Sequence, residues 1–165
     1  MSTEAPQGEF RTIDTLLTPE EGAAWRAYVW SSTVVLRGLD AGIAADGLEF
    51  RWFDVLVQLY FTHTGVMPLK RLLESVVLSR SGLTRLLDRM EAAGMVARTT
   101  DPVDRRRFFV IITPEGREAF EKAWPGHQRA IQERLLQHVP GADLMRMRVV
   151  LSRVIEANEA RDRAQ

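Results

Sequence analysis

The stretch Leu78-Ser79-Arg80-Ser81-Gly82-Leu83-Thr84-Arg85-Leu86-Leu87-Asp88-Arg89-Met90-Glu91-Ala92-Ala93-Gly94-Met95-Val96 decides how this chain is read. Leu83, Leu86, Leu87 and Met90 recur at the spacing of a single helical stripe, which predicts a helix over 79–93. Ser79 can cap that helix through its hydroxyl, and Gly94 stands where helices commonly turn left-handed and stop. With the leucines packed, Ser81, Thr84, Arg85, Asp88 and Arg89 fall on the opposite side. One face packs and the other is available to read a partner.

Just before it, 69–76 is a second short helical segment separated by almost nothing, so the pair predicts a tight helix-turn-helix. Just after it, 95–100 and 107–112 are rich in strand-favouring residues, with Asp101-Pro102-Val103-Asp104 as turn chemistry between them. That is a β-hairpin with Arg105, Arg106 and Arg107 at or beside its tip. Thr18-Pro19-Glu20-Glu21 opens the first long helix with a cap, a proline at the first turn and a capping-box glutamate. Trp25, Val29, Leu36, Leu39 and Ile43 form its stripe, and Gly42 or Gly47 ends it. A second helix is expected over 49–63. Thr113-Pro114-Glu115 starts another helix that Pro125 is expected to bend before it resumes through Leu135 and Leu136, and a last one runs over 142–160. The expected organisation is a flexible segment 1–17, a helix 18–48, a lobe 49–113 and C-terminal helices 114–165. The fold class is mainly α with a small β-hairpin wing: a winged helix-turn-helix lobe plus a helical region.

Across 165 residues, 22 basic and 22 acidic side chains cancel, so the overall balance does not mark a nucleic-acid binder. Locally it does. Residues 66–113 hold nine basic side chains against five acidic ones, leaving acidic flanks around a basic middle. Phosphate binding needs only the local field. A helix of this kind fits the major groove, where Arg grips guanine at two atoms and Ser or Thr bonds a base edge or a phosphate. A basic wing suits the minor groove. The bland alternative for the helix is a solvated face in which Arg85 and Arg89 pair with Asp88 and Glu91. At the hairpin tip, Asp101 and Asp104 are expected to hold at least one arginine internally. Helix-turn-helix, hairpin and local charge together favour DNA.

Other chemistries find little support. The chain has no Cys, which removes disulfides, thiolate metal sites and cysteine nucleophiles. His63, His127 and His138 are widely separated and no carboxylates cluster, so neither a metal nor catalytic residues are expected, and no cofactor. No apolar run is long enough for a bilayer and no basic-then-apolar leader opens the chain, which predicts a cytoplasmic protein without a membrane partner. A protein-interaction module using the winged lobe is the alternative to DNA binding, because fold alone does not set function.

The helix quoted above resembles the recognition helix of the MarR family, the multiple-antibiotic-resistance regulators. Asp101-Pro102-Val103-Asp104-Arg105-Arg106, followed by Ile112-Thr113-Pro114-Glu115-Gly116-Arg117, is similar to that family's wing and next helix start, and Phe53-Asp54-Val55-Leu56 also matches. The chain departs from the pattern at Val76-Val77, where Gly is common, at Leu73, often a small residue, and at Arg107 in the wing. The resemblance implies a ligand-responsive repressor that binds a pseudo-palindromic duplex as a homodimer, with 18–48 as a dimerisation helix, 49–113 as the DNA-binding lobe and 114–165 as C-terminal dimerisation helices, so that the helical region is a dimerisation region. By position it assigns Ser79, Arg80, Ser81, Thr84 and Arg85 to the major groove and Arg105 and Arg106 to the wing, with Arg89 on the same helix face. It further implies a site for a small aromatic or anionic effector between the dimer helices and the lobe, for which Trp30, Arg51, Trp52 and Asp54 are suitable material. Trp30 and Trp52 suit a core equally well, and Asp54 an ion pair with an arginine.

Overall fold

The computed structural model describes residues 16–101, 104 and 107–163. It divides into an N-terminal unit reaching to Val34 and a larger unit from Val35 onward. The elements are α1 (Pro19–Ala44), α2 (Phe50–Tyr60), β1 (Val66–Pro68), α3 (Leu69–Ser75), α4 (Arg80–Ala92), β2 (Val96–Thr100), β3 (Phe108–Ile112), α5 (Pro114–Arg134), a 3-10 turn (Leu136–His138) and α6 (Gly141–Arg163).

In the N-terminal unit the capping box forms as read. Glu21 N–H donates to Thr18 Oγ1 at 3.2 Å, and Thr18 N–H donates to Glu21 Oε2 at 2.7 Å. Two donors that a helix start otherwise leaves orphaned are thereby satisfied. Trp25, Tyr28, Val29, Trp30 and Val34 are nonetheless all exposed. In the larger unit, Leu39 and Ile43 are buried and α1 ends at Ala44, three residues before Gly47 takes φ +80°.

The core of the larger unit gathers Ile43, Phe53, Leu56, Leu59, Leu72, Leu83, Leu87, Met90, Val110 and Phe120, all essentially inaccessible. α2 stops at Tyr60, short of the expected His63, because the chain must extend again at Val66. The strand β1 was not expected. Three residues are too few to show a period of two, and Pro68 reads as a breaker. Yet a proline is tolerated on an edge, and β1 is an edge strand in the antiparallel order β1-β3-β2. Val66 pairs with Ile111, and Arg98 of β2 with Val110. Pro125 lies inside one continuous α5, which ends at Arg134 instead of running on through Leu136. Phe120 and Trp124 of α5 stack with Phe53 of α2 at centroid distances of 5.3 and 6.2 Å, and the His127 ring lies 4.6 Å from Phe53. Burial there lowers the His127 pKa, and its Nδ1 has no hydrogen-bond partner among the described residues.

Two junctions fix the hairpin. The first is Arg98, whose guanidinium meets Asp88 Oδ1 at 2.7 Å through Nη1 and donates from Nε to Glu91 Oε2 at 2.9 Å, while its backbone N–H donates to Glu91 Oε1 at 3.0 Å. A strand residue thus grips two acids one helical turn apart on α4. The second is the link from α4 to α5. Gly94 closes α4 at φ +73°, and Thr113 Oγ1 donates to the Gly94 carbonyl at 2.6 Å while accepting from Gly116 N–H at 3.0 Å. Gly116 is buried so tightly that a Cβ on it would lie 2.1 Å from the Met95 carbonyl oxygen.

Two outcomes follow from these junctions. Gly116→Ala should lower stability by about 1–3 kcal/mol or more, because backbone meets backbone and neither can rotate away. Gly141→Ala, whose Cβ would meet nothing within 4 Å, should melt close to the parent. Equal melting temperatures for the two variants would refute the packing argument. Arg98→Met should cost about 1 kcal/mol or less, since the ion pairs are partly exposed. The hydrogen bond from Arg98 holds the Glu91 carboxyl below its ordinary value of 4.5. That stabilisation is present above the ordinary value and is lost as pH falls through the lowered one. The gap in melting temperature between parent and Arg98→Met should therefore narrow below about pH 4.5.

Candidate nucleic-acid interface

The helix α4 presents the surface that its leucine spacing implied. Leu83, Leu86, Leu87 and Met90 are buried, and Arg80, Ser81, Thr84, Arg85, Asp88 and Arg89 are exposed. Ser79 is its N-cap, accepting from Gly82 N–H at 3.1 Å, and its Oγ lies 3.3 Å from Ser81 Oγ. The first N–H groups of α4 therefore open onto the side where Arg80, Ser81, Thr84 and Arg85 line a shallow concavity with Ser79. Thr84 Oγ1 donates to the Arg80 carbonyl at 2.9 Å, which leaves its oxygen free to accept. Arg85 donates from Nε to the Ser81 carbonyl at 3.3 Å, which steadies the side chain along the helix and leaves its terminal nitrogens unused.

The charge on this face is sorted by position. Asp88 and Glu91 are turned to Arg98, so the solvated-face pairing with Arg85 and Arg89 does not form. Among the described residues neither Arg80 nor Arg85 has a carboxylate partner. Arg89, at the far end, pairs with Glu49 at 3.2 Å. Both partners are largely exposed, so a phosphate could replace Glu49 at little cost. Arg105 and Arg106 lie outside the described residues. Arg107, next to them, is exposed and pairs with Asp104 at 3.4 Å, and Asp104 N–H donates to Asp101 Oδ1 at 3.2 Å. The expectation that an aspartate holds one arginine of the tip is met at Arg107.

Of the residues named for an effector, Arg51, Trp52 and Asp54 share one turn of α2. Arg51 is exposed. Trp52 packs half-buried against the core with Nε1 enclosed and without a partner among the described residues. Burial raises the Asp54 pKa, and the carboxylate makes no ion pair among the described residues, against the expectation of a bridge to an arginine. Trp30 belongs to the N-terminal unit, where it is 65% exposed. Sequence reasoning passed over Arg98 as a positioning group. The acids at 88 and 91, one turn apart on the reading helix, were the available signal that a basic residue must come to them. Among the described residues no His, Asp and Glu cluster could hold a metal, and no helix is long and apolar enough to cross a membrane.

Residues 46–107 match the model of the MarR family. The chain is 32% identical over 91 residues to the HTH-type transcriptional regulator MhqR of Bacillus subtilis (strain 168), a match covering 55% of this chain and 61% of that protein. It thus spans less than two thirds of that relative. Among solved structures, AbsC, a MarR family transcriptional regulator from Streptomyces coelicolor, superposes with a TM-score of 0.83 at 25% identity, over 88% of this chain and 99% of that one. Sco3205, a MarR family transcriptional regulator from the same organism solved in complex with DNA, gives 0.81 at 27% identity, over 87% and 91%. The family's pattern thus lies across helix-turn-helix and wing, and along nearly the whole of both structures the chain is similar in fold to MarR family regulators.

Proposed function

We propose that this chain is a sequence-specific DNA-binding transcriptional regulator, a ligand-responsive repressor that acts in the cytoplasm as a homodimer on a pseudo-palindromic duplex and catalyses no reaction. The observation that carries the reading is the N-terminal half of α4. Arg80 and Arg85 stand there without a carboxylate partner among the described residues, beside a capped helix start and above a wholly buried leucine stripe. Ser79, Arg80, Ser81, Thr84 and Arg85 are the major-groove contacts of this proposal. Arg89 reaches a phosphate, and Arg105 and Arg106 enter the minor groove. The DNA complex of Sco3205, similar in fold and 27% identical, supports the same use of the fold here.

Dimerisation is supported by apolar side chains left uncovered. On α6, Met145, Val150, Val154 and Ile155 are each more than half exposed, and in the N-terminal unit Trp25 and Trp30 are too. Such surface usually marks an interface, and a two-fold dimer would supply two reading helices for two half-sites. For the effector, Arg51 offers two-point recognition of a carboxylate or phenolate, and Trp52 and Asp54 bring an enclosed N–H and an uncompensated acid on the same turn. Trp30 is the fourth residue of this proposal. An effector that prefers the lobe spacing unable to bind DNA weakens operator binding by that preference alone.

Duplexes selected from a random pool give the operator on which the reading is tested. Arg85→Ala should lose about 1–3 kcal/mol of discrimination at one base-pair step per half-site. Arg105→Ala and Arg106→Ala should instead weaken binding to most sequences and flatten its dependence on salt. No duplex binding by the parent even at low salt would point to a protein-interaction module. For the effector, aromatic acids titrated against tryptophan fluorescence should release the operator with a coupling of about 1–3 kcal/mol. Arg51→Ala should lose the response while keeping operator affinity. An unchanged response in that variant would remove Arg51 from the sensor.

A further inference from the structure

The wall between the recognition helix and the wing is hollow. A cleft of about 500 Å³ opens between α3, α4 and β3. Leu69, Leu73 and Leu83 form its apolar floor together with Phe108, which is 48% exposed. A second cleft of similar size adjoins it along the wing, and Leu69, Thr84 and Phe108 line both, so the floor is continuous past the phenyl ring. Cations from three elements stand around the first cleft: Lys70 of α3, Arg80 of α4 and Arg107 at the entry to β3, with no carboxylate among its lining residues. Lys70 and Arg80 have no acidic partner among the described residues, and the bond from Arg107 to Asp104 is long and exposed.

We propose that this cleft seats the DNA strand that crosses from the groove read by α4 to the groove entered by the wing. Lys70, Arg80 and Arg107 hold its phosphate, and a neighbouring deoxyribose lies on Phe108. The proposal rests on the DNA-binding reading above and deepens it. With α4 in a major groove and the hairpin tip in the adjoining minor groove, one sugar-phosphate strand must pass between helix and wing, which is where the cleft lies. A phosphodiester backbone alternates an anion with a ring whose C–H faces are apolar, and the cleft offers the matching alternation of a cationic rim and an aromatic floor. Convergent charge from three separate elements suits a phosphate better than it suits solvent, since like charges brought together repel unless an anion sits among them. The contacts of Lys70, Arg107 and Phe108 read no base, so they hold register without choosing sequence, and Arg80 stands where this strand meets the major-groove set.

The experiment uses the full chain and its selected operator, with the fold of each variant checked by circular dichroism and thermal melting. Lys70→Gln should flatten the slope of log affinity against log salt by about 0.9 per lost phosphate contact, close to two units for a dimer. Its losses should be equal across operator base substitutions. Phe108→Ala should weaken binding at every salt concentration with the slope unchanged, and Phe108→Leu should recover part of the loss. A neutral methylphosphonate placed between the half-site and the wing's groove should weaken the parent more than Lys70→Gln. If Phe108→Ala unfolds, Lys70→Gln, Phe108→Leu and the methylphosphonate duplex carry the test. Parent-like affinity and slope in Lys70→Gln and Phe108→Leu, while Arg85→Ala still loses base preference, would overturn the cleft proposal and leave the DNA-binding reading standing. Saturable benzoate binding that Phe108→Leu abolishes, with operator affinity unaltered in that variant, would reassign the cleft to a small acid and overturn it too. Failure of the parent to bind any duplex would overturn both readings together.

Discussion

The guanidinium of Arg98 does two things that the rest of the reading surface depends on. It joins the wing to the recognition helix, since β2 has no other charged side chain between Val96 and Thr100. It also removes two carboxylates from the face where phosphates would approach. Asp88 and Glu91 are part of the same helix as Arg80 and Arg85, and an acid left free near that face would repel the strand as strongly as an arginine attracts it. Paired with Arg98, both acids become structural. Because Arg98 lies opposite Val110 on the central strand β3, the grip carries through the sheet to β1 as well.

The C-terminus of α4, close to that grip, is tied just as directly, by hydrogen bonds instead of charge. The Thr113 hydroxyl bonds the Gly94 carbonyl and accepts from Gly116 N–H, and Thr113 N–H donates to Met95 O at 3.3 Å. The end of the reading helix, the start of the wing and the start of α5 therefore meet within a few bonds. α5 in turn packs on α2 through the stack of Phe53, Phe120 and Trp124. α2 is thus joined to α5 by ring contacts, and α5 to α4 by Thr113, through closely packed groups. This continuity gives a ligand on Arg51, Trp52 and Asp54 a physical route to the reading helix, in keeping with the effector proposed above.

The sequence was most legible where one residue type has one use. Thr18 with Glu21, Ser79, and Thr113 with Pro114 all cap helices as read, because a hydroxyl before an orphaned N–H has few alternatives. The leucine stripe of α4 was equally plain. Legibility failed where a partner distant in sequence decides the outcome. β1 is three residues long and exists because β3 offers it an edge, which no local pattern records. α2 stops early for the same reason. On α4, spacing alone allowed Asp88 and Glu91 to pair with arginines of their own helix, and only the fold brings Arg98 to them. Asp54 shows the converse, since composition offers it many arginines and the fold delivers none among the described residues.

Net neutrality hid the basic lobe, and the same neutrality fits the job proposed for it. A duplex feels charges within about a Debye length, roughly 8 Å at physiological ionic strength, and those farther away are screened. Acids elsewhere in the chain can therefore balance the total without weakening the contacts proposed for Arg80, Arg85 and Lys70. What they do reduce is the long-range attraction that draws a uniformly basic protein to any nucleic acid. With that term small, binding falls more heavily on short-range contacts, which require the wing and α4 to sit in fixed relation. Discrimination between sequences then depends on the rigidity that Arg98 and Thr113 provide, and the charge pattern and the packing serve one end.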